Sequence, residues 1–409
     1  MELNFRQEFD VNTVPTSFPI LEQQIDGKPL IWLDNASTTQ KPLCVIDALE
    51  HFYKRDNSNI HRAIHTLATR ATDAYENSRA KVQQFLNASS ASEIIFTRGT
   101  TEAINLVAQT YGRKYIREGD EIIVSILEHH SNIVPWQMLA QEVGAILKVI
   151  PINNRGEIKL EEYAQLLSVR TRIVALAHVS NALGTVLPIK SMIEMAHNYG
   201  ACVVIDGAQA VPHFTVDVQA LNCDFYAFSG HKMFAPTGIG VLYGKSELLK
   251  KIPPWQGGGS MINSVTFEKT TYCEPPAKFE AGTPSIADAI ALSAAINYIT
   301  QLGMNNIEIY ERKLTEYAIQ CLSQISRLKL IGTAPQKIGV LSFIIDGIAV
   351  EDVGKHLAQE GIAVRAGHHC AQPTMQNYGV ASTVRPSLAF YNTYEEIDAL
   401  VKALKLAYS

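Results

Sequence analysis

Short runs of β-branched and aromatic residues alternate with longer amphipathic stretches through the middle of the chain. Seven apolar runs predict buried strands between residues 93 and 244: EIIFT, EIIVSI, ILKVI, RIVALA, CVVID, FYAFS and GIGVLYG. The stretches TEAINLVAQTYG, NIVPWQMLAQEVG and KSMIEMAHNYG, which lie between these runs, have helical periodicity. Strands without polar alternation, separated by helices, are typical of a mostly parallel sheet covered on both faces. The pattern therefore predicts an α/β domain around a mostly parallel seven-stranded sheet.

The pattern changes after WQGGGS at residues 255–260. Two long helical stretches follow, at about 284–302 and 305–325, then GVLSFII as a strand, a helix, the RAGHHC loop, RPSLAFY as a strand and a last helix. This order predicts a smaller α+β domain at the C-terminus. We expect an N-terminal arm over 1–30 that packs on the small domain, a large domain over 31–285 and a small domain over 286–409.

Composition and charge exclude several classes of protein. The chain has 409 residues, a formal net charge of −5 and 47% hydrophobic residues, enough for a large core. No basic block indicates binding to nucleic acid or to an anionic membrane surface, and no uninterrupted apolar run is long enough to span a bilayer. The N-terminus lacks the basic and apolar regions of a signal peptide. We therefore expect a cytoplasmic protein that binds neither nucleic acid nor membrane.

The six cysteines are scattered without a CxxC pair, which argues against a zinc knuckle, a thioredoxin-type motif or a disulfide framework. Cys202 and Cys223 lie in apolar runs and are expected to be buried. Cys370 differs, because in RAGHHCAQP it follows two histidines in a Gly-containing loop, five residues after Arg365. Positive charge and free N–H groups lower the pKa of a thiol and favour reactivity. The loop alone supports a reactive and an inert thiol equally well.

Several unusual polar residues follow predicted strands, and the carboxyl ends of parallel strands are where ligands collect. Lys232 in FSGHKMFAPTG has apolar flanks, and a partly buried lysine becomes a nucleophilic amine suited to Schiff-base formation. Asp206 ends CVVID, with Gln209 three residues on; its carboxylate could bind a metal, cap a helix or pair with a protonated ring nitrogen. Thr100 and Thr101 follow a glycine at a helix start, which suits either a phosphate or an ordinary N-cap.

One lysine, one strand-end carboxylate and several hydroxyls are what pyridoxal phosphate needs. His129 directly follows a predicted strand and suits stacking on a planar ring and proton transfer, whereas His130 is equally well an ordinary loop histidine. His61 and His65 have the i,i+4 spacing of a helix but lack a third ligand, so no metal site is predicted. Arg385 begins a predicted strand and suits a substrate carboxylate, with a surface salt bridge as the alternative.

Together these motifs resemble the group II, SufS-like cysteine desulfurases of iron–sulfur cluster assembly. These belong to the class V aminotransferase family of fold-type I (aspartate aminotransferase-like) pyridoxal phosphate enzymes. The resemblance runs through LDNASTTQKP, NIHRAIHTLA, TRGTTEAINLVA, EHHSNIVPWQ, DGAQAVPH, FSGHKMFAPTGIGVLYG, FEAGTP and RAGHHCAQP. It implies conversion of L-cysteine to L-alanine with a persulfide on Cys370, and cleavage of L-selenocysteine. It also implies a homodimer, a SufE- or SufU-type sulfur acceptor and a cluster scaffold system downstream.

The resemblance implies roles for individual residues. The catalytic residues would be Cys370, Lys232 and His129. The cofactor would be held by Lys232, Thr100, Thr101, His129, Asp206, Gln209, Ser229 and His231, with Thr283 reaching its phosphate from the other subunit. The substrate would contact Arg385, Asn181, Arg365, Ala36 and His61. Two residues depart from the family pattern: Ala63 stands where Gly is common, and Ser37 where Ala is common.

Two other kinds of function stay open at this point. An aminotransferase or a kynureninase-like hydrolase would share the fold and the cofactor, but Cys370 in its His-His loop argues against both. A non-catalytic scaffold that delivers or receives a sulfur carrier would have no need of Lys232, Asp206 and Cys370 together.

Overall fold

The computed structural model of the chain describes residues 13–62 and 64–408, so Ala63 and the first twelve residues of the expected arm lie outside the described residues. The strands are β1 (Gln24–Ile25), β2 (Lys28–Pro29), β3 (Ile31–Trp32), β4 (Ile94–Thr97), β5 (Glu121–Ser125), β6 (Ile146–Ile150), β7 (Thr171–Ala177), β8 (Cys202–Asp206), β9 (Phe225–Ser229), β10 (Gly240–Gly244), β11 (Ile262–Val265), β12 (Thr270–Tyr272), β13 (Leu328–Ile331), β14 (Ser342–Ile345), β15 (Ile362–Ala363), β16 (Arg365–Gly367) and β17 (Thr383–Arg385). The helices are α1 (Leu43–His51), α2 (Thr66–Phe85), α3 (Thr100–Val107), α4 (Arg113–Tyr115), α5 (Val134–Val143), α6 (Leu160–Leu166), α7 (Ile189–Asn198), α8 (Val218–Leu221), α9 (Ser246–Lys251), α10 (Ile286–Leu302), α11 (Met304–Leu322), α12 (Val350–Gln359), α13 (Gln372–Asn377) and α14 (Tyr394–Tyr408).

The predicted seven-stranded sheet is confirmed, with the strand order β4-β10-β9-β8-β7-β5-β6. The neighbours from β9 to β6 pair in parallel, whereas β10 is antiparallel to both β9 and β4. Every residue of β8, β9 and β10 is buried, as expected for strands with helices on both faces. The prediction that ILKVI is a buried strand is wrong, because β6 lies at the edge of the sheet and only its last residue is buried. The mostly parallel order brings the carboxyl ends of β5, β7, β8 and β9 to one edge of the sheet.

The C-terminal part contains a four-stranded antiparallel sheet with the order β13-β14-β17-β16. The prediction that RPSLAFY is a strand is wrong, because β17 ends at Arg385 and the next residue is proline, which cannot donate to a strand ladder. The apolar residues of this run are nevertheless buried, and Phe390 and Tyr391 pack in the core as irregular chain. Arg385 therefore ends a strand instead of beginning one.

The described part of the expected arm is anchored by one aromatic side chain. Phe18 lies between two short 3₁₀ helices and is fully buried. Its ring centroid lies 4.6 Å from that of Tyr391 and 6.3 Å from that of Phe234. Burial of a phenylalanine side chain contributes about 2 kcal/mol, which stabilises the packing of this segment against the regions that contain Phe234 and Tyr391.

The helical spacing inferred for His61 and His65 is wrong. Helix α2 begins at Thr66, and His65 is its N-cap, with Nδ1 accepting the Ala68 N–H at 3.2 Å. His61 has a φ of 71°, which no helical residue adopts. A histidine whose Nδ1 replaces the usual side-chain oxygen is a weak capping signal, which explains the error. Among the described residues, no helix combines the length and the apolar character needed to cross a membrane.

Candidate active site

A cavity of about 200 Å³ lies where the carboxyl ends of the parallel strands meet the RAGHHC loop. Lys232 follows β9, Asp206 ends β8, and Cys370 comes from the loop after β16. The sequence-predicted site residues that line the cavity are Ala36, Thr100, Thr101, His129, Asn181, Asp206, Ser229, His231, Lys232, Arg365, Cys370 and Arg385. The fold thus brings together side chains that are spread over most of the sequence.

Three predicted residues do not line this cavity. Gln209 is buried beside it and donates from Nε2 to the Ala36 carbonyl oxygen at 2.7 Å. Thr283 borders a separate cavity of about 620 Å³. His61 contacts Glu76 on the surface, with Nε2 and Oε1 3.0 Å apart. Within one chain, Thr283 and His61 are therefore away from the cavity, and a role for Thr283 across a dimer interface stays a prediction.

The amine of Lys232 and the carboxylate of Asp206 lie close enough to act on each other's charge. Lys232 ends a single 3₁₀ turn after β9, and burial lowers the pKa of its amine, an effect that Asp206 opposes. Burial raises the pKa of Asp206, and Lys232 opposes that shift; Oδ1 of Asp206 also accepts the Ala208 N–H at 3.0 Å. A lysine with a lowered pKa supplies a neutral, nucleophilic amine.

His129 presents a neutral ring to the cavity. Its Nδ1 accepts the Ser131 N–H at 3.0 Å and lies 2.8 Å from the Ser131 hydroxyl oxygen. Burial, then the charge of Lys232, lower the pKa of His129 to about 3. Because Nδ1 is an acceptor in a neutral ring, the proton is on Nε2. Ser131 thereby fixes both the orientation and the tautomer of this histidine.

Several hydroxyl groups lie beside the N-terminus of α3. The Thr100 N–H donates to the Ser229 hydroxyl oxygen at 2.8 Å, and the two hydroxyl oxygens are 2.7 Å apart. Thr101 and His231 line the same cavity, and burial lowers the pKa of His231 to about 4. A helix N-terminus with hydroxyls beside it suits a phosphate group.

Two arginines that line the cavity share the carboxylate of Asp34. Arg385 Nη2 lies 3.2 Å from Oδ1 of Asp34, and Arg365 Nη2 lies 3.4 Å from Oδ2. Arg385 is only 2% exposed and also donates to the Asn181 carbonyl oxygen at 2.9 Å. Burial lowers the pKa of Arg385 to about 10, which Asp34 opposes, so the guanidinium stays charged at neutral pH. The excess of positive charge suits a substrate carboxylate.

The loop that carries Cys370 is tied down on several sides. Asn181 Nδ2 donates to the His369 carbonyl oxygen at 2.6 Å, and the His130 N–H donates to the Cys370 carbonyl oxygen at 2.8 Å. The His369 Nε2 lies 2.8 Å from the hydroxyl oxygen of Thr383 in β17. These contacts hold the partly exposed thiol at the cavity. His130, which the sequence left open, contacts the thiol loop through both its backbone N–H and its ring.

Two of the remaining cysteines, Cys202 and Cys223, were predicted to be buried. All six cysteines are free, and Cys202 and Cys223 are buried as predicted. Burial raises the pKa of both buried thiols, which keeps them protonated. Over residues 13–62 and 64–408, no group of three or more His, Cys, Asp or Glu side chains is arranged to hold a metal ion.

Among the site residues that sequence reasoning missed are Asp34, Ser131, His369 and Thr383. Asp34 stands in the quoted LDNASTT motif, but nothing local indicates its two arginine partners. Ser131 lies two residues after His129, a spacing at which a side-chain acceptor can bond a backbone N–H. Thr383 carries no local signal, because its partner is fourteen residues away.

Comparison with known proteins identifies the class to which this fold and site belong. A family model described as aminotransferase class-V matches residues 31–400. The chain therefore belongs to the class-V aminotransferase family, as the motifs indicated, and the fold-type I prediction is confirmed.

Individual proteins that match most of this chain are named cysteine desulfurases or probable cysteine desulfurases. The chain is 58% identical over 397 residues to a cysteine desulfurase of Synechococcus elongatus. The matched region covers 97% of this chain and 63% of that protein. It is 52% identical to a probable cysteine desulfurase of Halalkalibacterium halodurans, covering 95% of each chain. The crystal structure of the Escherichia coli cysteine desulfurase CsdA has a TM-score of 0.90 and 43% identity, covering 98% of both chains. The chain thus spans about three fifths of the length of the Synechococcus relative.

The cofactor of this family is pyridoxal phosphate, and the cavity fits it. A lysine with a lowered pKa lies near a buried carboxylate, as the aldehyde and the ring nitrogen of the cofactor require. The N-terminus of α3 and its hydroxyls suit the phosphate. Arg385 and Asn181 also line the cavity, and Arg385 Nε and Asn181 Oδ1 are buried without a hydrogen-bond partner in the described chain, which leaves polar atoms for a substrate.

Proposed function

We propose that the protein is a pyridoxal phosphate-dependent cysteine desulfurase, which takes sulfur from L-cysteine onto Cys370 and releases L-alanine. The observation that carries the proposal is that Cys370, Lys232 and Arg385 line one cavity. The similarity to proteins named cysteine desulfurases supports it. An aminotransferase would need the lysine and the arginine but has no use for a thiol at this position.

The residues of the cavity have distinct tasks in this reaction. Lys232 would hold the cofactor, and its amine is the group that would move the proton at the substrate Cα. Arg385, with Asn181, would hold the substrate carboxylate. Asp206 would pair with the ring nitrogen, and the neutral His129 would lie against the ring with the N–H of Nε2 available to donate. When bound, pyridoxal phosphate supplies a sink for the electrons released at the substrate carbon.

The sulfur transfer itself takes place at Cys370. Its thiolate attacks the sulfur of the substrate, so that a new S–S bond forms as the substrate C–S bond breaks. The electron pair of the C–S bond stays with the substrate carbon, which takes up a proton and leaves as part of L-alanine. The substrate carbon is reduced and the cysteine sulfur is oxidised to a persulfide, so no external oxidant or reductant is needed.

The wider role follows from the resemblance to SufS-like enzymes. We propose that the Cys370 persulfide supplies a SufE- or SufU-type acceptor in the cytoplasm for iron–sulfur cluster assembly, and that L-selenocysteine is also cleaved. A homodimer is proposed because Thr283 lies away from the cavity of its own chain. The division into a large domain over 31–285 and a small domain over 286–409, with an arm over 1–30, belongs to the same proposal.

The experiment that tests the activity is mass spectrometry of the holoprotein after exposure to L-cysteine. We expect one extra sulfur atom on the peptide containing Cys370, removed by a thiol reductant, together with release of alanine. Cys44→Ser is the matched control, because Cys44 is an exposed thiol outside the cavity and its loss should leave both signals unchanged. An unmodified Cys370 in cofactor-loaded protein would refute the desulfurase and favour an aminotransferase or a related lyase.

A further inference from the structure

Two consecutive residues of the thiol loop have left-handed backbone conformations. The φ angles are 56° for His369 and 53° for Cys370, and neither residue is glycine. A left-handed conformation is uncommon for residues with a Cβ, and it persists only where surrounding contacts hold it. The direction of the Cys370 side chain depends on this backbone conformation. The contacts that hold it are therefore contacts that aim the thiol.

The backbone N–H and the backbone carbonyl oxygen of Cys370 each form a hydrogen bond with a histidine. The Cys370 N–H donates to Nδ1 of His368 at 3.1 Å, and the Cys370 carbonyl oxygen accepts the His130 N–H at 2.8 Å. The ring of His130 also accepts the Gln372 N–H at 3.2 Å, and the rings of His130 and His368 are 5.7 Å apart. His368 itself is exposed, so its ring is not needed to fill the core.

The hydrogen bond that Nδ1 of His368 accepts from the Cys370 N–H has the form of an Asx turn. In such a turn, a side-chain oxygen attached to Cγ accepts the backbone N–H two residues later. Here Nδ1, which is also attached to Cγ, takes the place of that oxygen. His129 makes the same bond to the Ser131 N–H in the same cavity, so this chain uses the device twice.

We propose that His368 is a positioning residue, which holds Cys370 in its left-handed conformation and thereby aims the thiol into the cavity that contains Lys232 and Arg385. The inference rests on the proposed desulfurase function and assigns a task to the first histidine of the RAGHHC loop. His368 does not touch the reacting atoms; it acts through the backbone of Cys370. Without the bond, the Cys370 φ returns to negative values and the sulfur swings away from the substrate.

Three variants of His368 separate this task from a general effect of the ring. His368→Asn keeps an acceptor at the same distance from the backbone, since Oδ1 replaces Nδ1. His368→Gln has the same amide one bond further out, and His368→Ala has no acceptor. The first measurement is hydrogen–deuterium exchange of the peptide containing residues 365–373, whose deuterium uptake includes that of the Cys370 N–H and which needs no activity. The second is the rate of persulfide formation on Cys370 in a single turnover of holoprotein.

We expect exchange to be faster, and persulfide formation slower, by about fivefold in His368→Ala and His368→Gln, the factor that corresponds to one ordinary hydrogen bond. His368→Asn should return both rates toward those of the unaltered protein. Unchanged exchange in His368→Ala, or equal behaviour of the Asn and Gln variants, would overturn the proposal. So would faster exchange with an unchanged persulfide rate. If the unaltered protein forms no persulfide, the proposed function fails, while the exchange rates still decide whether His368 holds the loop.

Discussion

Glu280 in the FEAGTP loop is the buried partner of Arg79, and its replacement by glutamine tests what holds this loop. The two carboxylate oxygens accept from Arg79 at 2.7 and 2.9 Å, and the first also accepts the Phe96 N–H at 2.8 Å. The Tyr75 hydroxyl donates to the second oxygen at 3.1 Å. The side chains of Arg79 and Glu280 are 3% and 9% exposed. The cluster joins α2 and β4 to the loop that contains Thr283.

The expected loss in the free energy of unfolding follows from the groups that remain buried after Glu280→Gln. The amide keeps the shape and one acceptor, but Arg79 remains buried with only Glu76, 3.0 Å away and 44% exposed, as an acidic partner. Removal of one member of a buried ion pair costs about 3 to 5 kcal/mol. Because Glu76 still compensates part of the charge, we expect a loss of about 3 kcal/mol in the free energy of unfolding.

The assay is urea unfolding of the holoprotein, followed by circular dichroism, for Glu280→Gln, Arg79→Met and the double variant. Each single variant leaves one buried charge without its partner, whereas the double variant leaves neither. The double variant should therefore be more stable than the sum of the single effects predicts, by about 2 kcal/mol. Glu50→Gln is the matched control, because its salt bridge with Lys54 is exposed and screened by solvent, so its loss should leave the free energy of unfolding nearly unchanged.

Two results would refute this reasoning: a Glu280→Gln variant as stable as the Glu50→Gln control, or single effects that simply add. Either would mean that the buried pair makes no net contribution and that the surrounding apolar packing holds the loop. If Thr283 holds the cofactor of the partner subunit, Glu280→Gln should also lose cofactor on dilution more readily than the control.

Three further predictions concern two cavity residues and the buried histidines His178 and His369. Cys370→Ala should abolish alanine release from L-cysteine while cofactor absorbance and cleavage of L-selenocysteine persist, since the weaker C–Se bond breaks without the thiol; normal turnover of L-cysteine would contradict the assignment. Arg385→Lys should raise KM for L-cysteine by about tenfold or more, because an ammonium group cannot bond Asp34 and a carboxylate in the geometry of a guanidinium, and an unchanged KM would remove Arg385 from substrate binding. Burial lowers the pKa values of His178 and His369 to about 3, so the folded state binds fewer protons than the unfolded state below pH 6.5. Stability should therefore fall as the pH drops from about 6.5 toward 3, by up to roughly 1.4 kcal/mol per pH unit for each histidine. Urea unfolding at several pH values should show a shallower fall for His178→Gln, and an unchanged slope would contradict it.

The sequence by itself determined the elements of the large sheet and most residues of the cavity. A buried strand appears as a local run of apolar residues, and the polar residues that follow it stand out against that run, so Lys232, Asp206 and His129 could be found without a structure. Cys370 was distinguished by its immediate neighbours. These signals are local, because they depend on residues within one element and the loop after it.

The local sequence pattern gave wrong predictions of secondary structure where long-range packing determined the backbone conformation. RPSLAFY has the composition of a strand, but its residues are buried as irregular chain against Phe18, an aromatic residue far away in the sequence. The NIHRAIH stretch has helical spacing, yet His61 has a left-handed conformation and bonds Glu76. In both cases a contact absent from the local sequence outweighed the intrinsic preference of the segment.

Only the tertiary structure decided how the cavity residues are held. Asp34 meets Arg385 across a separation of 351 residues, and His369 meets Thr383 from a different element. The left-handed conformation of Cys370 is likewise invisible in the sequence, because a residue with a Cβ avoids it unless contacts from elsewhere hold it. Residue types and their local spacing thus indicate which chemistry the chain can carry. The distances and orientations that make it possible arise when distant segments pack together.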